Sequence, residues 1–221
     1  MNLLAALALV LAAQTPPSPA EVAGYTGLHR AAARADVAEL QKLLGRRGVK
    51  PDVRDGFRRT PLHIAAYLRQ HDAMRALVAA GADPNALESE RYDIVTIAAV
   101  ANDLPTLALA LELGASAQNI TSRYDGTALI AAAHLGHHNA VRMLIRAGAP
   151  LDHVNNLGWT AVIEAIVLGD GGAAHTETLQ VLIEAGANLN LPDREKRTPL
   201  DLAISRSHKS MVQLLRAAGA K

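Results

Sequence analysis

The sequence predicts an all-α solenoid of about six helix-turn-helix repeats with projecting hairpin loops, on three observations. First, a Gly-Ala pair recurs as Gly81-Ala82, Gly114-Ala115, Gly148-Ala149, Gly186-Ala187 and Gly219-Ala220, at intervals of 33, 34, 38 and 33 residues. Gly48, followed by Val49 in place of Ala, stands 33 residues before the first pair. Second, a threonine opens an apolar segment in the same rhythm at Thr26, Thr60, Thr127, Thr160 and Thr198, and Asp93 holds that place in the third copy. A fixed period in this range marks a stacked repeat array. Third, 50% of the chain is hydrophobic but only 3% is aromatic, and the apolar residues are mostly Ala, Leu, Val and Ile. Small and aliphatic side chains suit closely packed helices, whereas sheets favour β-branched and aromatic residues.

Each element follows from local chemistry. The Thr60 hydroxyl can cap a helix N-terminus, and Pro61 fits a first turn where its missing N–H is not needed. Leu62, Ala65 and Ala66 then share one face at helical spacing, and the alanines allow close approach of neighbouring helices. A second helix follows, for example over Ala140-Val141-Arg142-Met143-Leu144-Ile145-Arg146, and Gly148 ends it as a left-handed cap. Turn residues such as Ala82-Asp83-Pro84-Asn85-Ala86 then form the projecting loop. One such unit cannot bury its own apolar face; stacked units share a core.

The signature Thr60-Pro61-Leu62-His63-Ile64-Ala65-Ala66, its weaker copies Thr198-Pro199-Leu200-Asp201-Leu202-Ala203 and Thr127-Ala128-Leu129-Ile130-Ala131-Ala132, and the period near 33 residues resemble the ankyrin repeat. The resemblance runs over roughly residues 24 to 221. It divides the chain into residues 1–20, a signal peptide and Pro-rich tail, and a repeat domain over 21–221. The repeats fall at about 24–55, 56–88, 89–122, 123–155, 156–193 and 194–221. The third copy lacks Thr and Pro and has Pro105 near the start of its second helix, so it is expected to be the softest. The fifth carries five extra residues.

The N-terminus differs from the rest. Leu3 to Ala13 is an apolar run of eleven, followed by Gln14-Thr15-Pro16-Pro17-Ser18-Pro19-Ala20. That is too short to span a bilayer but suits the core of a secretory signal, with small residues at Val10-Leu11-Ala12 and further cleavage points at Ala13 or Ala20. Met1-Asn2 lacks the usual basic residue. The expectation is export to the periplasm or beyond, the alternative a cytoplasmic protein whose N-terminus is simply a tail. The resemblance extends to exported bacterial ankyrin-repeat proteins.

Composition narrows the function. Charge is nearly balanced, 22 basic against 21 acidic residues, with no basic block, so the electrostatic footprint of a nucleic-acid binder is missing. The absence of cysteine excludes disulfides, Cys-ligated zinc and a thiol nucleophile. Of nine histidines, His29 and His63 occupy the signature's structural position and His137 and His208 the turn between helices, as the resemblance implies. His134 and His138 could share a helix face, but no third ligand completes a metal set. The insertion Gly169-Asp170-Gly171-Gly172-Ala173-Ala174-His175-Thr176-Glu177 invites an alternative function, a small-molecule or metal-binding enzyme using Asp170, His175 and Glu177. It lacks the strand and the Gly-Lys-Ser/Thr ending of a phosphate loop and reads as a longer turn. The expectation is therefore no catalysis and no cofactor.

The resemblance instead implies a monomeric module that binds, holds, stabilises or inhibits a protein partner through hairpin tips and the concave face of the first helices. Its variable positions lie four, three and one before the Thr position, and seven and eight after it. All six aromatic residues fall there: Tyr25, Tyr92 and Trp159 one before, Phe57 and Tyr124 three before, and Tyr67 seven after Thr60. With Arg59 and Arg197 one before and His134 seven after, the expected protein-binding residues are Phe57, Arg59, Tyr67, Tyr92, Tyr124, His134, Trp159 and Arg197. Aromatics give large contact area at low rotamer cost and are enriched in binding hot spots. A bulky residue just before the Thr could instead pack on the neighbouring hairpin.

Overall fold

The structure, a computed structural model, describes residues 15–221. Most of the signal-peptide segment, residues 1–14, lies outside the described residues. Thirteen helices occur among the described residues: a short α1 (Pro19–Gly24), then six pairs. The pairs are α2 (Gly27–Ala33) with α3 (Val37–Leu44), α4 (Pro61–Tyr67) with α5 (His71–Ala79), and α6 (Ile94–Val100) with α7 (Leu104–Glu112). They continue as α8 (Ala128–His134) with α9 (His138–Arg146), α10 (Ala161–Val167) with α11 (Ala173–Glu184), and α12 (Pro199–Ser205) with α13 (Lys209–Ala217). The described chain divides into two compact units inside the third pair: residues 15–98 together with 105–116, and residues 99–104 together with 117–221.

Within the first unit, α2 packs on α4 and α3 on α5. Leu62, Ala65 and Ala66 are buried together, as helical spacing requires, and Ala32 and Ala65 present no side chain that would hold the helices apart. Within the second unit, α8, α10 and α12 pack in succession, covered by α9, α11 and α13. Every residue of α10 is buried. Each fully buried Leu or Ile contributes about 1.5–3 kcal/mol of apolar transfer free energy.

Threonine opens five of the first helices, as expected. Thr60, Thr127, Thr160 and Thr198 each accept a hydrogen bond from the backbone N–H three residues on. Thr26 has the extended backbone of a cap but makes no such bond. In the third repeat Asp93 substitutes chemically, its carboxylate accepting from Thr96 N at 2.8 Å. Pro105 is the second residue of α7, where its missing N–H has no intrahelical partner to lose.

The insertion is a longer turn, as expected, and also a longer helix. Five residues (168–172) separate α10 from α11 against three in the other pairs, and α11 has 12 residues against 9 in α5, α7, α9 and α13. Gly172 is the N-cap, and His175 and Thr176 already belong to the first turn.

Candidate protein-binding surface

The hairpins are held by a feature that lies five residues before each Thr position. There, Asp55, Glu88, Ser122, Asn155 and Asp193 each turn a side-chain oxygen onto backbone N–H groups of their own hairpin. Asp55 Oδ1 accepts from Phe57 N and Arg59 N, both at 2.9 Å. Glu88 Oε1 takes Glu90 N and Tyr92 N, and Asn155 Oδ1 takes Leu157 N and Trp159 N. Ser122 Oγ takes Tyr124 N and Gly126 N, and Asp193 Oδ1 takes Arg197 N. Two residues before the Thr position the backbone is left-handed, at Arg58 (φ 58°), Arg91 (64°), Asp125 (50°) and Lys196 (62°). Side chains other than glycine rarely adopt that conformation, so the surrounding bonds must impose it.

Neighbouring tips are also tied together. Ser89 N donates to Phe57 O at 3.0 Å in the first unit, and Asn156 N to Tyr124 O at 2.9 Å in the second. The result is a set of rigid turns whose position three before the Thr is open to solvent or half-buried. Phe57, Glu90, Tyr124, Leu157 and Glu195 occupy it.

The eight expected residues separate by burial. In the first unit Phe57 is 46% exposed. Arg59, 1% exposed, lies beneath it with its guanidinium carbon 4.7 Å from the ring centroid. Arg59 is a structural hub: Nε donates to Asp55 Oδ2 at 2.7 Å, Nη1 to Thr15 O at 2.8 Å, and Nη2 to Tyr25 Oη at 2.9 Å and to Glu21. Burial alone would raise the Asp55 carboxyl, but hydrogen bonds from Tyr25 and Arg59 outweigh it and hold Asp55 below the usual carboxylate range. Tyr92 is 1% exposed, and its backbone is held by His63 and Glu88. Tyr67 is half-buried and its Oη accepts from Thr15 N. Burial, then the Glu88 charge, push its phenol pKa up.

In the second unit Tyr124 and Trp159 are half-buried and Arg197 is exposed, steadied by Asp193 at 2.7 Å. His134 is 2% exposed. Its Nδ1 lies 3.0 Å from Glu164 Oε2, and Asn155 Nδ2 donates to the other Glu164 oxygen at 2.9 Å. Arg59, Tyr92 and His134 are therefore not surface side chains, contrary to their expected place in the binding face. Arg59 and His134 sit where an adjoining segment or repeat supplies their polar partners. Tyr92 is anchored through its backbone to His63 of the preceding repeat and Glu88 of its own hairpin. Tyr25 is half-buried and donates its hydroxyl to Asp55 Oδ2 at 2.8 Å.

The histidines serve as bridges between repeats. His29 Nε2 lies 3.0 Å from Arg59 O, and His63 Nε2 lies 3.2 Å from Tyr92 O. His137 Nδ1 meets the Ala99 carbonyl, and His175, from the insertion, meets the His134 carbonyl at the end of α8. His175 thus satisfies an orphan carbonyl at a helix C-terminus. Of the insertion's other polar groups, Asp170 accepts from Gly172 N and lies 3.7 Å from His175 Nδ1, while Glu177 lies 3.2 Å from His138 Nδ1. Among the described residues no group of three His, Asp or Glu is gathered closely enough to hold a metal ion. No described helix is long and apolar enough to cross a membrane.

Comparison with known proteins agrees with the geometry. The family model for ankyrin repeats (3 copies) matches residues 5–88, 28–120 and 95–191. The chain is 33% identical over 191 residues to the ankyrin repeat protein YahD of Escherichia coli K12, covering 86% of this chain and 94% of that protein. It resembles the crystal structure of an ankyrin repeat domain from Acinetobacter baumannii with a TM-score of 0.81 and 41% identity, over 88% of this chain and 98% of the other. The ankyrin repeat domain of Bcl-3 follows at a TM-score of 0.80 and 28% identity, over 90% of this chain and 88% of that domain. The chain spans 44% of the length of the mouse B-cell lymphoma 3 protein homolog, to which it is 30% identical. With the signature, the paired helices and the bridged hairpins in agreement, the chain belongs to the ankyrin-repeat family.

Proposed function

We propose that this protein is a monomeric, exported interaction module that holds, stabilises or inhibits a protein partner through its hairpin tips and first-helix faces. The observation that carries the reading is the set of turns locked by their own side chains, with Phe57 and Tyr124 at the accessible position. Locked turns lose little entropy on binding, and aromatic anchors supply contact area. Trp159 and Arg197 belong to the same reading. The mixed charge around them, Arg58, Arg123 and Arg194 beside Glu90 and Glu195, suits a protein partner better than a phosphate polymer.

Replacing Phe57, Tyr124 and Trp159 together with Ala is expected to abolish recovery of the partner in a pull-down with mass spectrometry from the native cell. The circular dichroism spectrum should stay that of the parent. Undiminished recovery by the folded triple variant would remove these residues from the interface. Export is supported by the apolar run before residue 14 and is tested by N-terminal sequencing of protein recovered from its own cell. A chain starting at Met1 in the cytoplasmic fraction would overturn it.

A further inference from the structure

Resting on the protein-binding reading, we infer that the face of the first unit formed by Arg59, Tyr67 and Glu88 receives an extended, proline-containing peptide segment of a partner. Residues 15–18 of the chain itself occupy that face in the structure. Thr15 makes three polar contacts there. Its N–H donates to Tyr67 Oη at 3.3 Å, its carbonyl accepts from Arg59 Nη1 at 2.8 Å, and its hydroxyl donates to Glu88 Oε2 at 2.9 Å. Two of the three read main chain, which any extended peptide offers. The third selects a donor side chain.

Two residues on, Pro17 is buried while Pro16 and Ser18 on either side are exposed. Ser18, at φ −66° and ψ 157°, has polyproline II geometry. Thr15, Pro16 and Ser18 each precede a proline, which disfavours helix at all three and keeps the segment extended. The occupant is thus a hydroxyl residue, one spacer and a buried proline, pre-organised before it binds.

The receptor is held without the segment. Asp55, Glu21 and Tyr25 fix Arg59, and the Glu90 and Tyr92 N–H groups fix Glu88. Were residues 15–18 to leave, a guanidinium N–H of Arg59 and a carboxylate oxygen of Glu88 would lose these partners and be open to water or to another segment. The geometry of the three contacts stays in place, because the remaining bonds of Arg59 and Glu88 do not involve the segment. A partner segment of the form Ser/Thr-x-Pro restores all three. The tethered segment competes at an effective concentration in the millimolar range, so a partner must displace it.

The test uses a fluorescent, end-capped peptide with the sequence of residues 14–20 and the full chain, as parent and as the tail variant Thr15→Ala with Pro17→Gly. The peptide should bind the tail variant at least about tenfold more tightly than the parent, because its competitor is weakened. Adding Tyr67→Phe should reduce that affinity several-fold without altering the thermal melt. A peptide with Val for its Thr and Ala for its second Pro should bind at least about tenfold more weakly. Equal or absent binding to parent and tail variant, or binding indifferent to Tyr67→Phe, would overturn the inference. So would a parent dimer, seen by light scattering and lost in the tail variant, which would assign the face to a second copy. Partner recovery that still depends on Phe57, Tyr124 and Trp159 would leave the protein-binding reading standing through any of these failures.

Discussion

His63 is buried between two repeats, and both ring nitrogens are engaged. Nδ1 accepts from Thr60 N at 3.1 Å, and Nε2 donates to Tyr92 O. Only the neutral ring with its proton on Nε2 satisfies both contacts, and burial lowers its pKa to about 4. The sign of the pH dependence follows. The unfolded ring takes a proton near pH 6.5, the folded one near pH 4, so stability is full above pH 6.5 and falls as pH drops between them. The expected loss by pH 4 is of order 2–3 kcal/mol. Urea denaturation at pH 7, 5.5 and 4 should show this slope in the parent. His63→Ala should be less stable by about 2 kcal/mol at pH 7 and should lack that part of the slope. A variant with the parent's full slope would acquit His63. Its structural role was legible in the signature. The burial of Arg59 and His134 was not, because it depends on segments far away in sequence: Thr15 and Glu21 for Arg59, Glu164 for His134.

At the scale of the element, the insertion is the most informative segment. Elsewhere a first and second helix are joined by a short left-handed turn, such as Gly136 at φ 71°. In the fifth repeat the five added residues are shared, two in the turn and three in the helix, and Gly171 carries the left-handed turn at φ 74°. A Cβ on Gly171 would run into the His208 ring, whereas one on Gly172, with negative φ, would meet only the exposed Asp170 carboxylate. Gly171→Ala is therefore expected to cost about 1–3 kcal/mol and Gly172→Ala less than half of that, measured by thermal or urea unfolding. Equal costs would mean that His208 moves aside freely. The Gly-rich composition signalled a longer turn, but it could not show that the added residues also extend the second helix. His175 decides that by bonding the α8 carboxyl end, a contact across 41 residues.

For the whole molecule, the relevant fact is the division inside the third repeat, the copy that departs most from the pattern. Repeat arrays gain stability from each unit and its neighbours, and cooperativity can break within them. The only tryptophan, Trp159, lies in the second unit and reports on it alone. Leu62→Ala, at a residue 1% exposed in the first unit, should cost about 2–4 kcal/mol. Its guanidinium unfolding should then split: far-UV circular dichroism shifts to lower denaturant, while tryptophan fluorescence moves less. Coincident shifts in both probes would mean one cooperative block.

The sequence by itself determined the repeat number, the helix pairs, the caps and the accessible turn residue Phe57. These depend on interactions within one period, and the period is written out six times. Even the locks of the hairpins were present as an acceptor side chain five residues before each Thr position from Asp55 to Asp193. Only the tertiary structure decided which residues of the expected binding face are surface, how the insertion is used, and what lies on Arg59, Tyr67 and Glu88. Those outcomes are set by desolvation and by partners 30 or more residues away, such as Thr15 against Tyr67 and His134 against Glu164. A repeat pattern is silent there, because it records what the copies share and not what each copy meets.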